Sequence, residues 1–291
     1  MKKAVIAIVL LSGSLAAASA AIRDRESSYP LQEKEEIRRT LKSADPSHPL
    51  TLAVDNVFGG IDVQVVDGTE VELIASKTIR AKTQEKIARA KVDVDLKITQ
   101  QGNDIDLYVD GPFRCQVQDC KGLRWRNWGY EVAYDFRLRV PRRTNLTLRT
   151  VNRGSITVRG VEGDFDVSNV NGPVTLEAVA GAGSADTVNG DVRVAFVRNP
   201  ASACSFETVN GDIRMAFAAG LAADFMMKTM HGEASSDFET IRLPAEPIKR
   251  ETREGKTVFR RGGFTGVRIG RGGPEIHCET LNGDILIQKN K

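Results

Sequence analysis

The chain has 291 residues, is 41% hydrophobic and 6% aromatic, and carries 26 glycines. This length suits one long repeat domain or two compact ones, and the glycine content suits a turn-rich β protein. The net charge of +3 falls to +1 if Lys2 and Lys3 are removed, and so even a balance gives no reason to expect a nucleic-acid partner.

Residues 1–20 read as a secretory signal. Lys2 and Lys3 form the basic end, Ala4 to Leu11 the apolar stretch, and Ala18-Ser19-Ala20 a small-x-small cleavage site. The apolar run is too short to cross a bilayer. No Cys follows the cleavage site to take a lipid, and no second apolar stretch is visible. The expectation is an exported protein, periplasmic or extracellular, with no membrane span. Residues 21–36 read as a polar segment, and a β-repeat domain is expected over residues 37–291.

Glu33 to Leu41 has helix-favouring composition, although Ile37, Thr40 and Leu41 would equally lead a strand. Asp45-Pro46-Ser47-His48-Pro49 is a turn. Leu50, Leu52 and Val54 alternate ahead of Asn56, and Ile61, Val63 and Val65 follow Gly59-Gly60. One short helix is predicted near 83–90, with Thr83 as its N-cap. Val92, Val94 and Leu96 return to strand alternation, as do Ile105, Leu107 and Val109. An irregular insert near 113–130 interrupts the pattern before Tyr134, Phe136, Leu138 and Val140 resume it.

From Leu146 a short phrase recurs. Thr187-Val188-Asn189-Gly190-Asp191-Val192 returns as Thr208-Val209-Asn210-Gly211-Asp212-Ile213 and as Thr280-Leu281-Asn282-Gly283-Asp284-Ile285. Looser copies centre on Asn152 and Asn171, and a decayed one on His231. Residues six, four and two places ahead of each Asn form inward columns, such as Cys204, Phe206 and Thr208. The parity switches after Gly, which marks a corner. The Asn positions from 152 to His231 fall 19, 18, 21 and 21 residues apart, a spacing near 20 that marks a stacked array. An all-β fold is therefore expected, a single-chain right-handed β-solenoid or β-helix with rungs of about 20 residues. A twisted sandwich of consecutive hairpins is the alternative. Asn152, Asn171, Asn189, Asn210 and Asn282 are the structural corners, placed to hydrogen-bond along the stack. Rungs in chain order would set Phe206 beside Met227. Residues 239–273, with Pro244, Pro247 and Arg260-Arg261-Gly262-Gly263, break the array before its last rung.

Asp55-Asn56-Val57-Phe58-Gly59-Gly60-Ile61, the Asn-Gly-Asp corners and Gly272-Gly273-Pro274-Glu275-Ile276 carry a resemblance. The chain resembles the bacterial adhesin-like β-strand-repeat family, secreted proteins of unknown function, over roughly residues 37–289. The resemblance implies a right-handed β-helix and supplies no catalytic residues.

Four groups are candidate sites. Cys115 and Cys120 are a candidate disulfide in the irregular stretch, with a metal site as the rival. Cys204 and Cys278 fall in inward columns, different ones and two rungs apart, about 9.6 Å at a strand spacing of ~4.8 Å; buried free thiols are expected. The turn acids Asp164, Asp191, Asp212, Glu233 and Asp284 suit turns and surface ion pairs better than calcium, because Arg193 and Arg214 lie two residues beyond a corner acid. Trp125, Trp128, Arg124 and Arg126 combine amphipathic rings with charge, a mixture common in contact sites, and are the candidate contact residues; a buried cap is the other reading. His48, His231 and His277 assemble no catalytic set by spacing, and no cofactor or metal is expected. The sequence thus points to a non-enzymatic envelope interaction or structural protein whose partner is an envelope protein or glycan. A carbohydrate-binding or carbohydrate-active β-helix is the alternative.

Overall fold

The computed structural model describes residues 29–114, 128–244, 249–253, 256–260 and 263–290. Residues 1–20, expected to be a secretory signal, lie outside the described residues.

The first part of the chain forms β1 (Leu31–Lys42), β2 (Leu50–Asp55), β3 (Ile61–Val65), β4 (Glu70–Ala81), helix α1 (Gln84–Asp93), β5 (Asp95–Gln101), β6 (Asp104–Asp110) and β7 (Tyr130–Val140). The repeats follow as pairs: β8 (Thr144–Arg149) with β9 (Ile156–Arg159), β10 (Phe165–Ser168) with β11 (Val174–Val179), and β12 (Gly183–Asn189) with β13 (Val192–Phe196). Next come β14 (Cys204–Asn210) with β15 (Ile213–Phe217), and β16 (Ala223–His231) with β17 (Ala234–Ser236). The chain closes with β18 (Thr240–Arg242), β19 (Lys249–Arg253), β20 (Lys256–Arg260), β21 (Thr265–Ile269), β22 (Glu275–Asn282) and β23 (Ile285–Lys289).

The protein is all-β apart from one helix among the described residues, with two large mixed sheets. One runs β1-β4-β7-β3-β9-β11-β13-β15-β23-β17, the other β18-β21-β16-β22-β14-β12-β10-β8-β2-β6-β5, and β19 pairs with β20 separately. Each repeat gives its first strand to one sheet and its second to the other, so the two strands joined by an Asn-Gly corner are not hairpin partners. Equivalent strands of neighbouring repeats pair in parallel and in register, as Phe165 with Leu146 and Val192 with Ile213.

The inward columns from both sheets meet in one apolar core. Phe196, Phe206, Phe217 and Phe225 are fully buried there. Burial on this scale stabilises by about 1.5–3 kcal/mol for each large apolar side chain.

Two expectations change. The strand pairs do not stack in chain order: β22 lies between β14 and β16, and β23 between β15 and β17. Cys278 therefore pairs with both Phe206 and Met227 and separates them. Both flanking side chains are still inward, Met227 being 6% exposed. Secondly, α1 runs to Asp93, so Val92 is helical and 80% exposed rather than the first residue of a strand. Its N-cap is Thr83, whose hydroxyl accepts from the Lys86 N–H. Of the two readings left open for Glu33 to Leu41, the strand is the one found, as part of β1.

Antiparallel strands cover the two ends of the parallel array. β4 and β1 follow β7 in one sheet, and β5 follows β6 in the other. At the far end β21 and β18 follow β16.

Candidate functional site

The corners are tied together by three parallel rows of hydrogen bonds. In the first, each Asn Nδ2 donates to the Oδ1 of the next: Asn171 to Asn152, Asn189 to Asn171 and Asn210 to Asn189, all at 2.8 Å, then Asn282 to Asn210 at 2.7 Å. His231 stands opposite Asn282 at the end of the row. In the second, the side chain two places before the Asn donates to a glycine carbonyl of the neighbouring repeat. Thr187 reaches Gly172, Thr208 reaches Gly190, Thr280 reaches Gly211 and Thr229 reaches Gly283, at 2.9–3.0 Å. In the third, the corner carboxylate accepts the next corner's backbone N–H. Asp212 N–H donates to Asp191, Asp284 N–H to Asp212 and Glu233 N–H to Asp284.

The remaining carboxylate oxygens of Asp191 and Asp212 face arginine. Arg193 binds Asp191 at 2.5 Å and Arg214 binds Asp212 at 2.7 Å. Asp191 and Asp212 are thus engaged in both corner geometry and surface ion pairs, and Asp284 in corner geometry. Among the described residues no three His, Cys, Asp or Glu side chains gather where they would hold a metal ion.

The insert leaves β6 and returns into β7, beside the corner of β2 and β3. It therefore springs from the same edge of the molecule as the asparagine row. Its entry is fixed by Arg114, which donates to the Asp55 carboxylate at 2.8 Å, the Asp55 carbonyl at 2.9 Å and the Val109 carbonyl at 3.0 Å. The guanidinium also lies 4.5 Å from the Tyr108 ring centre. Phe113 meets Phe58 edge-on at 6.3 Å. At the exit Trp128 is half-buried against the core. The Tyr130 hydroxyl donates to Asp93 at 2.7 Å, and burial followed by that bond pushes its pKa up. Arg153, beside Asn152, holds a left-handed φ of 59° and pairs with Glu131 at the start of β7. Of the residues expected in the insert, Trp128 is described; Cys115, Cys120, Arg124, Trp125 and Arg126 lie outside the described residues.

Cys204 and Cys278 sit on neighbouring strands rather than two apart, because β22 is inserted beside β14. They stay two positions out of register, which puts their Cα atoms about 8 Å apart at ordinary strand dimensions, beyond disulfide reach. Both are free and buried, and burial raises both thiol pKa values. Two of the three histidine side chains have a local partner. His48 binds Asp45 at 2.7 Å, and Asp45, which accepts mainly from Ser47, is lowered to about 2. The His277 ring lies 4.5 Å from Phe264 and 3.8 Å from Glu279.

One surface escaped the sequence reading. On the outer face of the eleven-stranded sheet, residues three places before each Asn form the file Arg149, Ser168, Asp186, Glu207, Glu279 and Lys228. Asp186 accepts from Ser168 at 2.8 Å, and burial with the nearby Asp166 and Glu207 raises its pKa. Lys228 closes the file on Glu279 at 2.5 Å. The signal was available: the same count backward from each Asn that gave the inward columns gives the outward ones at odd places.

No helix among the described residues is long and apolar enough to cross a membrane. No family model matches the chain, and no curated protein does. In shape it is similar to a crystal structure named provisionally as a cell adhesion protein from Clostridium sporogenes, with a TM-score of 0.42 and 10% identity over 89% of this chain and 100% of that one. A structure provisionally named an adhesin from Bacteroides fragilis gives 0.38 and 10%, over 89% and 98%. One provisionally named a lipid binding protein from Parabacteroides distasonis gives 0.25 and 11%, over 90% and 98%.

Proposed function

We propose that this chain is an exported, non-enzymatic interaction or structural protein of the cell envelope, adhesin-like in its way of working. We read the two sheets as the walls of a right-handed β-solenoid, one strand of each repeat per wall. The observation that carries the reading is the triple row of corner hydrogen bonds. Across repeats the Asn side chains bond one another, the Thr hydroxyls donate to glycine carbonyls, and the Asp carboxylates accept backbone N–H. The repeated chemistry therefore serves register and stiffness. The groups left for a partner are the outward side chains, set at strand spacing of ~4.8 Å along each wall, and the aromatic insert at the edge of the corner row.

Residues 1–20 would direct export, and Cys115 with Cys120 would close a disulfide in the oxidising compartment. The contact group is Trp125 and Trp128 with Arg124 and Arg126, and the partner an envelope protein or glycan. The test is capture from envelope extracts by the purified chain, repeated with Trp125→Ala and Trp128→Ala. A retained partner that the double variant loses supports the assignment. The same partner held equally by both proteins would remove the insert from the contact, and turnover of an envelope glycan would overturn the non-enzymatic reading.

A further inference from the structure

The first strand has features that the proposed function does not use. β1 is twelve residues long and pairs along its whole length with β4. It is the outermost strand of its sheet, so its other edge has no strand partner among the described residues. A long open edge is a template for pairing with another chain, and proteins commonly blunt it with charge. β1 is heavily charged, but its charges are sorted. Glu33, Glu35 and Glu36 occupy the first half; Arg38, Arg39 and Lys42 occupy the second; Ile37 divides them. Lys34 is the exception in the acidic half.

We propose that β1 pairs antiparallel with β1 of a second copy of this chain, about a two-fold axis at Ile37. In that register Glu36 of each copy stands opposite Arg38 of the other, and Glu35 opposite Arg39. Symmetry doubles each pair, giving four cross-strand pairs of opposite charge with Ile37 against Ile37 at the centre. Facing residues in a sheet must point to the same side, so the axis moves only by whole residues. One step earlier sets Glu36 on Glu36 and Lys34 on Arg38, three like-charge contacts by symmetry against the two opposite-charge contacts of Glu33 with Arg39. One step later sets Arg38 on Arg38 and Lys34 on Lys42. The sorted charges thus select one register. Within one copy Arg38 pairs with Glu36 at 2.6 Å and Arg39 donates to the Arg38 carbonyl at 2.8 Å, contacts that pairing would exchange for ones between copies. Ile37 is partly buried against the core rather than projecting freely.

Sedimentation velocity across the micromolar range tests this, and the expected species has twice the chain mass. A Glu35→Arg, Glu36→Arg variant faces like charge at all four pairs and should sediment as monomer. So should an Arg38→Glu, Arg39→Glu variant. Mixed, the two restore every opposite pair and should recover the dimer. Glu36 also lies 3.9 Å from Arg137, so charge reversal disturbs the subunit itself; a cysteine pair avoids this. Under mild oxidation Ile37→Cys should cross-link two copies, whereas Gln32→Cys, ten residues from its own symmetry mate, should not. A monomer at every concentration, a dimer that survives both reversals, a mixture that stays monomeric, or cross-linking at 32 equal to that at 37 would each overturn the proposal.

Discussion

The corner residues are small, and their energetic ranking follows from how deeply each is enclosed. A methyl group at Gly211 would sit 2.0 Å from the Gly190 carbonyl oxygen, where nothing but backbone displacement makes room. Gly211→Ala is therefore expected to cost about 3 kcal/mol or more. Thr208→Val keeps the shape but removes the 2.9 Å bond to the Gly190 carbonyl from a buried site, which should cost about 1 kcal/mol. Asn189→Ala breaks two bonds of the asparagine row, but Asn189 is itself exposed to water, so a cost of about 0.5–1.5 kcal/mol is expected. Urea unfolding of the three variants checks the order, and Asn189→Ala as the most damaging would contradict it. Lys77 gives a pH-dependent case. It is 5% exposed, donates to the Val94 carbonyl at 2.7 Å, and lies 5.6 Å from the Tyr134 ring centre. Desolvation lowers its pKa from the ordinary 10.5. Between the lowered value and 10.5 the unfolded chain holds more protons than the folded one, so this group makes stability rise with pH in that window. Lys77→Met should remove that rise. Unfolding free energies at neutral and alkaline pH would show it as a gap between the proteins that shifts toward wild type as pH increases; an unchanged gap would rule out the assignment to Lys77.

Among the elements, β22 and β23 have the least expected place. They are the last strands in the chain and interior strands in both sheets. Cys204, Phe206 and Thr208 of β14 pair with Ile276, Cys278 and Thr280, and the far side of β22 takes β16. A chain ending at Gly273 would therefore lose an interior layer, the one on which β16 and β17 are built, not its final layer. Its circular dichroism and thermal transition should show loss of cooperative folding, whereas an array stacked in chain order would shed its last repeat at modest cost. The sequence could not settle this. The inward columns are read from position within a repeat, and Ile276 to Asn282 fits the same columns wherever it is inserted. Rank in the sheet is decided by contacts some 70 residues distant, such as Asn282 to Asn210. The corners themselves were legible because the turn chemistry is local and repeated five times. The layer made of β6 and β7 was not, since the insert splits it and removes its Asn-Gly corner. At the candidate site, Trp128 could be named from composition, but the Arg114 anchor depends on what β2 and β6 bring alongside.

On the scale of the molecule, the two sheets enclose one core, yet each repeat touches chiefly the layers on either side. Stability in such an array is close to a sum of layers and interfaces, so damage should stay near its origin. Phe217 offers the sharpest place to ask. Its ring stacks on Phe196 at 5.2 Å and meets Phe225 edge-on at 5.7 Å, tying β13, β15 and β16 through one fully buried side chain. Phe217→Ala should cost about 3–5 kcal/mol, most of it from the cavity and the lost ring contacts. The opposite end is held independently: β4 and β1 extend one sheet, β5 extends the other, and α1 packs against β4 and β7. Amide hydrogen exchange on this variant should therefore show protection lost across β14 to β17 and β21 to β23. Protection in β2, β3 and β8 to β11 should remain near the wild-type level. A uniform loss over both regions would mean that the array unfolds as one unit, with the capping strands at each end coupled through the whole length of the core.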